Sequence, residues 1–77
     1  MNIGKVVEEQ LNEVGIFTYE QLKEAGSKQA WLNIKSIDAS ACINRLYALE
    51  GAIQGMKSNE LPVDVKLDLK TFYQNTK

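Results

Sequence analysis

Histidine is absent from this sequence, and cysteine occurs once, at Cys42. Those two shortages exclude zinc sites built on cysteine and histidine, cysteine–histidine nucleophilic catalysis, and imidazole acid–base chemistry. A lone thiol cannot close an intrachain disulfide. Because Cys42 falls inside an apolar helical pattern, it is expected to be a small buried hydrophobe rather than a reactive group. Long apolar runs are also lacking, and nothing approaches the roughly 18 consecutive residues of a membrane span. The opening MNIGKVVEEQ has neither the basic start nor the apolar stretch of a secretory signal, so a cytoplasmic location is expected. No glycine cluster precedes a strand pattern, which removes phosphate-loop and dinucleotide-binding fingerprints.

Carboxylates do occur in pairs, at Glu8 and Glu9 and at Glu20 and Glu24. All four fall on polar faces of expected helices, where no apolar pocket would raise one of the two pKa values into a catalytic range. The sequence therefore reads as a non-enzyme that needs no cofactor and no metal.

What is present is an ordinary globular composition, 44% hydrophobic and 25% charged over 77 residues, enough for one small domain. A domain of this size buries only about 60–65% of the surface its unfolded chain exposes, so oligomerisation would be a natural supplement. Charge is unevenly spread. Residues 1–26 hold two basic side chains against five acidic ones, whereas residues 27–77 hold seven against five. The first part is the wrong sign for a phosphate-binding surface, which draws most of its non-specific affinity from lysine and arginine.

Apolar spacing divides the chain into five helices. Ile3, Val6, Val7, Leu11 and Val14 recur at helical intervals and predict a helix over 3–14, ended by Gly15. Thr18 to Gln21 fits a capping box for a short helix reaching Ala25 and stopped by Gly26. Ser27 is the expected N-cap of a third helix over 28–35, with Ala30, Trp31 and Ile34 on its apolar side. Asp38 or Ser40 would cap the longest and most central helix, over 39–56, on which Cys42, Leu46, Leu49, Ile53 and Met56 share one stripe. A hinge at 57–60 leads to a last helix over 62–74, with Pro62 in its first turn.

Two surplus features stand out. Ala48, Gly51, Ala52 and Gly55 place four small residues on one side of the fourth helix, although each interior glycine costs about 1 kcal/mol relative to alanine. Close approach of another helix, within the chain or across a dimer, is the expected benefit. On the last helix Val63 and Leu67 point away from the Leu61, Val65, Leu69, Phe72 and Tyr73 face, giving either a broad internal footprint or an exposed contact patch. Trp31, Tyr47, Phe72 and Tyr73 are expected in the core, and one of Phe17 and Tyr19 is expected to staple the turn at Thr18.

With those elements placed, the stretch NIGKVVEEQLNEVGIFTYEQLKEAG, the pair Ala30-Trp31 and the run ACINRLYALEGAIQGMKSNELP resemble the C-terminal domain of the TfoX/Sxy family of bacterial competence regulators. The likeness extends from Asn2 to about Tyr73. It implies a stand-alone domain with a helix-hairpin-helix-like or SAM-like arrangement and a role in transcription or DNA-uptake control. Two-domain members of the family promote expression of DNA-uptake genes, in concert with the cyclic-AMP receptor protein. The first half also resembles one half of a helix-hairpin-helix module, but Asn2 replaces the first glycine of its hairpin and the helix that follows is acidic.

The expectation is thus an all-α, five-helix regulatory module that contacts a protein through the small-residue side of the fourth helix or the extra flank of the last. The first alternative is direct DNA binding, with Ile3, Gly4 and Lys5 at the helix entrance and Lys28, Lys35 and Arg45 as phosphate contacts. The second is a homodimerising structural protein.

Overall fold

A computed structural model of the chain describes residues 4–76. The five helices are α1 (Lys5–Glu13), α2 (Tyr19–Ala25), α3 (Ser27–Ile37), α4 (Ile43–Gln54) and α5 (Val63–Asn75), with a single 3-10 turn at Ser58–Glu60. There is no strand among the described residues.

Local chemistry explains most of the boundaries. Gly15 takes a φ of +86°, which lets its own amide donate to the Asn12 carbonyl and the Ile16 amide donate back to Leu11 at 2.8 Å. These bonds satisfy carbonyls that the end of α1 would otherwise leave open, and Ile16 tucks into the core with Leu11. The same device ends α4, where Gly55 at φ +73° lets the Met56 amide reach the Gly51 carbonyl at 2.9 Å. At Thr18 the capping box forms as expected: the Gln21 amide donates to the threonine Oγ1 at 3.2 Å, and Gln21 Oε1 accepts from the amides of Phe17 and Thr18.

The helices α3 and α4 form the central pair. α1 leans on α3, α2 touches both, and α5 lies along α4. Trp31, Leu11, Leu22, Ile34, Leu46 and Leu49 are completely buried between them. Trp31 meets Phe72 and Tyr73 edge to face, with centroids 6.1 and 5.5 Å away, and its Nε1–H donates to the Cys42 carbonyl at 3.1 Å. One indole therefore ties α5 and the start of α4 to α3 while satisfying its own polar atom. The radius of gyration, 11.3 Å, is close to the roughly 11.5 Å expected of a chain this long folded as one unit.

Several expectations need correction. The fourth helix starts at Ile43 rather than near 39, because Asp38 turns its carboxylate onto the Ser40 amide and hydroxyl, at 3.0 and 2.5 Å, and holds residues 38–41 in a turn. Asp38 thus closes α3 instead of capping α4, and Cys42 takes the N-cap position. Cys42 is exposed, not buried, since it sits ahead of the apolar stripe rather than within it. With α4 shortened at both ends, α5 is the longest helix. Ser27 is not an N-cap: Gly26 occupies that position, and the Ser27 hydroxyl, buried, donates to Glu50 at 2.6 Å. Of the two rings flanking Thr18, Phe17 is largely exposed and Tyr19 half-buried, so Phe17 is not the staple.

Candidate functional site

The residues considered for phosphate contact are not gathered into one surface. Ile3 lies outside the described residues. Gly4 sits at the entrance of α1 with a φ of +87°, its carbonyl accepting from the Glu8 amide, and it and Lys5 are exposed. Glu8 in the first turn and Glu9 beside it make the entrance of that helix acidic.

Each of the other three cations already has an internal partner. Lys28 pairs with Asp68 of α5 at 2.8 Å and lies over the Phe72 ring. Lys35, two turns further along α3, lies 5.4 Å from the centre of the Trp31 ring. Both lysines rim the aromatic cluster that docks α5, where a cation over a ring face is itself favourable. Arg45 is on a different seam, donating to Asp38 at 2.8 Å with its side chain only 21% exposed.

Asp38 is the hub of that seam. Its carboxylate accepts from Ser40, from Gln10 of α1 and from Arg45 of α4, and these hydrogen bonds hold the carboxyl well below the usual carboxylate range. Three helices meet at this anion. Spacing in the sequence did not single it out, although Asp38-Ala39-Ser40 is the local signature of an aspartate that bonds the amide two residues on. Nothing in the sequence signals the Lys28–Asp68 pair, whose members are forty residues apart.

The small-residue stripe of α4 proves to be mostly internal. Gly51 and Ala52 are buried, Ala48 is half-buried, and Gly55 is the exposed residue just past the helix end. A methyl group at Gly51 would lie 2.7 Å from the Met56 carbonyl oxygen and 3.2 Å from the Ser58 nitrogen. The close neighbour is the chain's own connection after α4, rather than another helix. By contrast, the flank of α5 is open: Val63 is 73% exposed and Leu67 is 58% exposed, one turn apart.

A cleft of about 540 Å³ opens between α4, α5 and the α2–α3 junction, lined by Glu50, Asp64, Asp68 and Lys28 among others. Lys28 and Asp68 pair across it, and Glu50 accepts from the neutral side chains of Ser27 and Gln54. A smaller hollow of about 300 Å³ lies beside Tyr19, Met56 and Lys57. Among the described residues no helix is long and apolar enough to cross a membrane.

Two solved structures are similar to this chain. A protein of unknown function from Listeria monocytogenes, in a tetragonal crystal form, is 47% identical with a TM-score of 0.95, covering 99% of this chain and 93% of that one. An uncharacterized protein from Listeria monocytogenes, in a triclinic form, is 48% identical with a TM-score of 0.94, covering 97% of this chain and 85% of that one. No curated protein matches. The family model for the TfoX C-terminal domain matches residues 1–73, so that the Gly15 turn, the Thr18 cap and the Gly51 contact all lie within the matched span: the chain belongs to the TfoX C-terminal domain family.

Proposed function

We propose that this domain is a small non-enzymatic regulatory module, working inside a bacterial cell in transcription or DNA-uptake control through contact with a protein partner. The observation that carries this reading is the outer flank of α5, where Val63 and Leu67 present aliphatic surface that no helix of the chain covers. The regulatory setting rests on membership of the TfoX C-terminal domain family and on the resemblance to competence regulators. A protein partner is favoured over nucleic acid because Lys28, Lys35 and Arg45 are each committed to an internal partner, and the α1 entrance stands among glutamates.

The deciding experiment is an amide NMR titration with a short DNA duplex at low salt, repeated at higher salt. The expected result is no salt-sensitive shift at Gly4 and Lys5. Salt-sensitive shifts concentrated there would overturn the reading and make DNA contact the function.

A further inference from the structure

Charges of opposite sign recur at matching intervals on two helices, although α5 also carries Asp64 and Asp68 and is neutral as a whole. On the outer side of α5, Val63, Lys66 and Lys70 follow one another at intervals of three and four residues, beside Leu67. On the outer side of α1, Val6, Glu9 and Glu13 follow the same intervals. Val6 is 62% exposed, Glu9 and Glu13 are exposed, and Lys70 is exposed with Lys66 half-buried. The two ion pairs among the described residues are Lys28–Asp68 and Arg45–Asp38, so none of these four charges is neutralised by a salt bridge within the chain.

Resting on the reading of the α5 flank as a contact surface, we propose that its occupant is α1 of a second copy of this chain. Four residues of helix rise about 6 Å, so the two lysines and the two glutamates have the same axial separation and can pair simultaneously. With the helices running in the same direction, Glu9 meets Lys66, Glu13 meets Lys70, and Val6 comes against Val63 and Leu67. Ridges of residues four apart are the ones that most often interlock where helices cross. The apolar contact supplies attraction, and the opposite charges set partner and register. One such helix pair buries less than the roughly 800 Å² per partner of a stable complex, so the association is weak and falls as salt screens it.

Sedimentation velocity of the full chain over a concentration range, at low and high salt, tests this. The wild-type chain should show a mass that rises with concentration at low salt and returns to the monomer at high salt. K66E/K70E and E9K/E13K should each weaken association at least about tenfold, while an equimolar mixture of the two variants should regain it, because the charges are then complementary again. Circular dichroism melting of each variant confirms that it is folded. A monomer at every concentration, or a mixture that fails to associate, would overturn the proposal. Association lost in L67E but indifferent to both charge reversals would also overturn it, while leaving the α5 flank as a contact surface for something other than α1.

Discussion

The small-residue stripe of α4 and the aliphatic flank of α5 are both more than an amphipathic helix needs, yet the fold treats them in opposite ways. On α4 the space that a side chain at Gly51 would take is filled by backbone: the chain leaves the helix through Gly55 and turns back so tightly that Met56 and Ser58 lie against Gly51. On α5 nothing returns to cover Val63 and Leu67. A run of small residues reports that something comes close without saying what, and a surplus of apolar residues reports that something is uncovered. The first feature is explained by the three residues that follow the stripe, Met56 to Ser58, whereas the second finds no explanation among the described residues.

The contrast can be sharpened within α5 itself. Leu69 is only 2% exposed and Leu67 lies two residues away on the other side of the helix. Leu69→Ala should cost about 2–5 kcal/mol of stability, whereas Leu67→Ala should change it by less than about 0.5 kcal/mol, both read by chemical denaturation. A large loss at Leu67 would mean that the flank is covered in the folded chain.

On the other side of the comparison, Gly51→Ala should destabilise by about 1–3 kcal/mol, since its methyl would meet a backbone carbonyl oxygen rather than a movable side chain. The same denaturation series reads it. A neutral result would show that the connection after α4 can move away, which would break the distinction between a filled stripe and an open flank.

The smallest effect belongs to the Asp38 seam and is confined in pH. Because hydrogen bonds from Ser40, Gln10 and Arg45 lower its folded pKa, Asp38 contributes stability that is present above the unfolded value near 3.9 and is lost as pH falls below it. The difference in melting temperature between the wild-type chain and Asp38→Asn should therefore be largest near neutral pH and shrink as pH drops below about 4. A difference independent of pH would assign the seam to shape rather than charge.

Much of the fold was legible because it is written locally. Gly15, the pair Thr18 and Gln21, and the apolar spacing around Leu46 and Leu49 act within one or two helical turns, which is the range over which caps and periodicity operate. The start of α4 was not legible from periodicity, because the alanines at 39 and 41 favour helix and the competing Asp38 turn is stabilised by Gln10 and Arg45 from other helices. Cys42 is exposed for the same reason, since the buried stripe of α4 begins after it. The candidate surfaces divide along the same line. Spacing sets Val63 and Leu67 apart from the buried face of α5 but leaves open whether they are covered, and the engagement of Lys28, Lys35 and Arg45 depends on tertiary neighbours that no spacing reveals.

The hydrogen bond between the Trp31 indole and the Cys42 carbonyl has a practical consequence. The chain holds one tryptophan and one cysteine, and this bond brings an entirely buried fluorophore next to an exposed thiol. The natural sequence is thus already equipped as an optical instrument. A quencher attached at Cys42 would darken Trp31 emission while the start of α4 remains docked on α3, and returning light would report their separation without any substitution of either residue.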